Sequence, residues 1–192
     1  RFSTAILRLR ETDLQGFVDW GKRVLEVGDD SHTLAVLALY LAYSARTGVA
    51  KQYATEAASL DPLSWLTAHS VHHVDLYAGQ ADPAFRGMAE LAHRLAPGEP
   101  FSSYQVGYAA LQAGLKDEAQ AWLDRSMEGG SDHYARWSRL LLRVLEGDVG
   151  GAEKELKDHS LAAVSGRAGY GSYLIGSCYA GIGNTEKAFE WL

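Results

Sequence analysis

At 192 residues, with 47% apolar content, four prolines and no low-complexity tract, the chain is long enough to bury a substantial core and is expected to be globular. The single cysteine, Cys178, excludes an intrachain disulfide framework, and no apolar run approaches the roughly 20 residues that span a bilayer, so a cytoplasmic protein is expected. A net charge of -6, with acidic and basic residues interspersed, repels phosphate backbones and anionic lipid, which argues against nucleic acid or membrane as a partner.

In chain order, "GFVDWGKRVLEVG" within residues 1–30 reads as the second helix of a pair whose first helix is eroded. Apolar residues then recur every three to four positions over Thr33 to Ala45, Ala68 to Ala78, Phe101 to Ala113 and Ser138 to Leu145, each the stripe of an amphipathic helix. Strand alternation is absent. Glycines follow these stripes at Gly48, Gly79, Gly114, Gly147 and Gly183, where a left-handed residue closes a helix without a Cβ penalty, and a second helix begins after each. Pro62 and Pro97 fall beyond second helices, which a fixed φ and a missing N–H bring to an end.

The elements repeat. "YQVGYAALQAGLKDEAQAWL" (Tyr104 to Leu123) returns 69 residues later as "YLIGSCYAGIGNTEKAFEWL" (Tyr173 to Leu192), with Tyr, two Gly, Ala, Trp and Leu kept in place. Sixty-nine is twice about 34, and a weaker copy lies between at Trp137, Leu140, Val144, Gly147, Ala152 and Leu156. "EAASLDP" and "ELAHRLAP" carry the same period back towards the N-terminus. Small residues at Gly107, Gly176, Ala119 and Ala188 mark where two antiparallel helices cross with their backbones close.

These residues resemble the tetratricopeptide repeat (TPR) family. Its first-helix signature is matched by Ile175, Gly176 and Tyr179, with Trp137 and Leu140 supplying the aromatic-leucine pair, and its second-helix signature by Ala188 and Leu192. The chain departs from the pattern at Leu141 and His73, where glycine is usual. The resemblance implies an all-α fold: an α-solenoid, a right-handed superhelix of antiparallel helix pairs with about five repeats. They are expected near 31–64, 65–99, 100–133, 134–168 and 169–192 (incomplete), after a degenerate repeat in 1–30, in one domain spanning 1–192. Arg1 at the start and a last helix cut at Leu192 suggest a piece of a longer protein. The phrasing is similar to repeat arrays of bacterial signalling and regulatory proteins, attached to winged-helix, cyclase or kinase domains.

In such a superhelix the first helices line the concave wall, which is where a partner is expected. The row would be Phe101, Tyr104, Tyr108, Leu111 and Gln112, with Tyr170, Tyr173 and Ser177 in the last repeat and His32, Leu39, Tyr43, Ser70, Val74 and Tyr77 in the earlier ones. It is aromatic and nearly uncharged, a surface type that binds a protein or peptide segment. A chaperone-tail receptor is argued against, because tyrosine, serine, valine and leucine stand where such receptors carry lysine, asparagine and arginine. The alternatives to a protein-binding scaffold are a ligand-sensing regulatory domain and a self-association module.

Other constellations carry less. His69 and His73 share a helical face at a spacing that can chelate zinc, but no cysteine or well-placed carboxylate joins them, so packing at a repeat junction is expected and no metal. Arg136, Arg139 and Arg143 line one side of a helix and read as a solvated face or an anion holder. "GYGSYLIG" follows no strand and lacks the lysine of a phosphate loop. Cys178 reads as an inert buried thiol. No nucleophile, base and charge-stabilising group fall into a motif, so no catalytic residue, no enzyme activity and no cofactor are expected.

Overall fold

The computed structural model describes residues 14–26, 30–128, 132–157 and 170–191, and every regular element among them is an α-helix. In chain order these are α1 (Leu14–Leu25), α2 (Ser31–Tyr43), α3 (Thr47–Leu60), α4 (Trp65–Tyr77), α5 (Ala81–Leu95), α6 (Pro100–Gln112), α7 (Lys116–Glu128), α8 (Asp132–Glu146), α9 (Val149–Lys157), α10 (Tyr170–Gly181) and α11 (Thr185–Trp191). Of the eroded first repeat, only α1 is described. Residues 1–13 lie outside the described residues, as does Leu192, which carries part of the second-helix signature.

Local chemistry sets the helix starts. The Asp30 carboxylate accepts from the His32 amide at 3.2 Å, and that of Glu99 from the Ser102 amide at 2.6 Å, with Pro100 at the first helical position where its missing N–H costs nothing. The Asp148 carboxylate accepts from the Gly151 amide at 2.9 Å, and the Asn184 side chain from the Lys187 amide at 3.2 Å.

The turns inside each pair are built alike. Residues 45, 79, 114, 147 and 183 all have positive φ, at intervals of 34, 35, 33 and 36. Each donates its amide to the carbonyl three residues back, and the next residue donates to the carbonyl five back, as Gly114 does to Leu111 at 3.1 Å and Leu115 to Ala110 at 3.0 Å. This pair of hydrogen bonds satisfies two of the carbonyls that a helix end leaves open. Four of the five positions are the expected glycines. The first is not: Gly48 lies inside α3, and Ala45 takes the left-handed conformation at φ 60. The Arg46 amide still reaches the Leu41 carbonyl at 2.9 Å, so the hydrogen-bond pattern holds despite the Cβ.

Turns this short fold each helix back on the one before it. Thus α2 pairs with α3, α4 with α5, α6 with α7, α8 with α9, and α10 with α11. The chain forms two compact units, one ending at Pro97 and the other beginning at Gly98. In the first, α2 also packs against α4, and the core is small-residue rich: Ala38, Ala42, Ala50 and Ala54 let helix backbones come close around Leu37, Leu41 and Val74. In the second, α6 packs against both α7 and α8, around fully buried Tyr104, Tyr108, Leu123, Leu140 and Leu141. A Cβ on Gly107 would lie 2.7 Å from Leu123 Cγ and 3.2 Å from the Leu123 backbone nitrogen, so the α6–α7 crossing requires glycine there. At the position equivalent to Gly107 in the preceding pair stands His73, and the glycine has moved to the second helix: the ring of His72 lies where a Cβ on Gly87 would be, 2.2 Å from its nearest carbon.

Candidate functional site

Within the first unit, α4 carries a row of rings at every fourth residue. Trp65 stacks on His69 with centroids 4.9 Å apart, His69 lies 5.2 Å from His73, and His73 lies 4.9 Å from Tyr77. A spacing of four places such rings one above another on a helix face. From α2, Tyr43 meets this row edge-on, 5.2 Å from His73 and 5.0 Å from Tyr77, and is itself met edge-on by Tyr40 at 5.7 Å. These are the separations at which edge-to-face aromatic pairs attract. Of the expected site residues, Tyr43 and Tyr77 are thus brought together, and both are half-buried.

His69 and His73 are each 1% exposed. Neither nitrogen of His73 has a hydrogen-bond partner among the described residues, and burial lowers its pKa from the ordinary 6.5 to about 3. Burial, followed by the neighbouring His73 and His72, holds His69 well below the usual range too. Both are neutral at pH 7. His72 differs: it is half-buried, and although burial lowers its pKa, Asp75 and Glu90 pull the other way. Asp75, the carboxylate nearest in sequence, pairs with Lys51 of α3 at 2.5 Å. The histidines pack at a helix junction, as the sequence leads one to expect. Among the described residues no three metal-ligating side chains converge.

In the second unit the rings gather around Tyr134 of α8. It lies 5.2 Å from Phe101, 5.8 Å from Tyr104 and 4.9 Å from His133. Phe101 and Tyr134 remain partly exposed, Leu111 is half-buried and Gln112 is exposed at the end of α6. Burial, with Glu99 second, raises the Tyr134 pKa, so the phenol stays neutral.

Tyr104 and Tyr108 do not present their rings to solvent. Each is 1% exposed, a correction to the expected outward row. The reason lies in α6 as a whole: Ser102 to Ala110 are all buried, because the helix is enclosed by α7 on one side and α8 on another and has no solvent stripe. Ser70 and Val74 of α4 are likewise buried, at 0% and 1%. His32 is exposed, and Leu39 and Ser177 are half-buried. Tyr170 and Tyr173 fall in α10, with side chains outside the described residues.

Sequence reasoning missed Tyr134 and Trp65, which stand near the starts of their helices outside the apolar stripes it counted. A signal was present for Trp65: with His69, His73 and Tyr77 it makes an unbroken ring-bearing i, i+4 series. Arg139 and Arg143 of α8 are engaged internally. Arg143 bonds Asp148 at 2.5 Å and lies 3.7 Å from Glu155, and Arg139 lies 3.9 Å from the same Glu155. The anions they hold belong to their own chain. Cys178 is buried, its thiol pushed up to about 12 by burial, which leaves no thiolate for chemistry at neutral pH. Among the described residues no helix is long and apolar enough to cross a membrane.

No family model and no curated protein matches the chain by sequence. Solved structures do match by fold. The chain is similar to PilW, described as a widely conserved type IV pilus biogenesis factor, with a TM-score of 0.63 at 17% identity over 98% of this chain and 87% of that one. It is also similar to a tetratricopeptide repeat protein from Parabacteroides merdae, with a TM-score of 0.54 at 14% identity over 98% of this chain and 75% of that one. YrrB, described as a TPR protein with an unusual peptide-binding site, matches with a TM-score of 0.50 at 20% identity over 89% of this chain and 88% of that one. Helix pairs closed by one recurring turn, and these likenesses along nearly the whole chain, give this protein the fold of the tetratricopeptide repeat proteins.

Proposed function

We propose that the chain is a non-catalytic scaffold that binds a protein or peptide segment along its first helices. The observation that carries this reading is the partly exposed aromatic surface on those helices: Phe101 with Tyr134 in one unit, Tyr43 with Tyr77 in the other. Such rings offer large contact area and lose little rotamer freedom when a partner covers them. Leu111 and Gln112, at the other end of α6, are proposed as further contacts, buried Tyr104 lies against Tyr134, and Tyr170 and Tyr173 are the corresponding proposals in the last pair. The peptide-binding site of YrrB, on the same fold, supports a peptide as the ligand class.

Panning a random peptide library against the full chain tests this. Peptides rich in apolar residues are expected to be selected, and Phe101→Ala with Tyr134→Ala should weaken them at least about tenfold, the loss that removing an aromatic anchor entails. Circular dichroism must show the variant as helical as the parent. Selected peptides whose affinity the variant leaves unchanged, or no selected peptide at all, would overturn the reading.

A further inference from the structure

We propose that His69 and His73 form an acid-sensitive latch between α2 and α4, closed while both imidazoles are neutral and released when they take up protons. This goes beyond the peptide reading and does not depend on it.

The geometry supplies the argument. The two rings lie in the middle of the row that joins α4 to Tyr43 of α2, each 1% exposed, and are wedged between Trp65 and Tyr77. A proton on His73 would place a charge at two nitrogens that have no hydrogen-bond partner among the described residues. From α2 the titratable groups that face the row are the phenols of Tyr43 and Tyr40. From α3 it is Lys51, which pairs with Asp75 and acts against a charge on the neighbouring His72. From α5 it is Glu90, which acts on His72, as Asp75 of α4 itself does. The remaining titratable groups of α4 are His72, a further lowering influence on His69, and Tyr77. The three histidines of this helix therefore differ in their surroundings. At His72, Asp75 and Glu90 partly offset the lowering by burial and Lys51, whereas burial alone lowers His73, and burial and neighbouring histidines lower His69.

The direction follows from linkage. In the open state both imidazoles bind protons near the ordinary 6.5, while His73 in the closed state resists protonation down to about 3. The closed state is favoured fully above the ordinary value and loses its advantage as pH falls below it. Each histidine multiplies the opening equilibrium by up to about ten per pH unit. Opening uncovers Tyr43 and Tyr77, so acid would expose ring surface that α2 and α4 share at neutral pH.

Hydrogen exchange of the full chain, corrected for the intrinsic pH dependence of exchange, reads the opening directly. Between pH 6 and pH 5 the protection of residues 65–77 is expected to fall about tenfold or more, and His73→Phe should remove about tenfold of that fall while keeping a ring in the row. Equal protection at both pH values, or a fall of the same size in the variant, overturns the latch. Should His73→Phe fail to fold, the histidine side-chain resonances of the unaltered chain decide. His69 and His73 signals that stay neutral until the folded form disappears support the latch. Signals that titrate near 6.5 with α4 still protected refute it.

Discussion

Tyr104 and Tyr108 sit one turn apart on α6 with almost no surface exposed, and each behaves as a core side chain that happens to carry a hydroxyl. Truncating a buried aromatic costs about 3 to 5 kcal/mol, against a total stability of about 5 to 15 kcal/mol for a domain. Tyr104→Ala with Tyr108→Ala is therefore expected to abolish cooperative melting of the second unit. Phe101→Ala with Tyr134→Ala, which removes partly exposed rings, should cost no more than about 1 to 2 kcal/mol each. Urea titrations followed by circular dichroism distinguish the two, and similar midpoints for both double variants would mean the burial assignment is wrong. The residue types were legible in the sequence, but their orientation was not. A 3.6-residue period tells which side of a helix is apolar; it does not tell that α6 is enclosed on more than one side, because that depends on α7 and α8 together. Tyr134, near the start of α8 and outside the Ser138 to Leu145 stripe, passed unnoticed although it is the ring on which Phe101 and Tyr104 converge.

At the scale of the element, two backbone positions within the helix pairs have opposite requirements. Gly107 has no space for a methyl group, since Leu123 occupies it through both side chain and backbone. Gly107→Ala should cost about 1 to 3 kcal/mol by forcing α6 and α7 apart. Ala45 has the reverse difficulty, a Cβ at φ 60 in the turn between α2 and α3. Its left-handed conformation costs about 1 to 2 kcal/mol, and glycine's greater freedom in the unfolded chain returns about half of the relief. Ala45→Gly should thus stabilise the protein by about 0.5 to 1 kcal/mol, read as a raised denaturant midpoint at unchanged slope. A lowered midpoint would show that the alanine makes contacts worth more than its strain. The turns were readable where glycine marked them. The first was misplaced by three residues because the hydrogen-bond pattern, rather than the glycine, defines the turn, and Gly48 offered itself as a decoy inside α3.

At the scale of the whole molecule, the repeated turn and the repeated pairing of helices are what the roughly 34-residue period encodes, and the all-α fold was readable for that reason. A unit of two helices cannot bury its own apolar faces, so each pair leans on its neighbour: α2 on α4 in one unit, α6 on α8 and α8 on α10 in the other. The contacts between consecutive first helices are also where the rings collect. The central claim is that these first helices, rather than the second helices behind them, form the recognition surface. Hydrogen exchange of the full chain with and without a library-selected peptide tests it most directly. The account predicts added protection in the first helices of the unit that the peptide engages, at residues 31–43 and 65–77 or at 100–112 and 132–146, with little change in the second helices at 47–60, 81–95 and 116–128. Protection concentrated in those second helices, with the first helices unchanged, would contradict it.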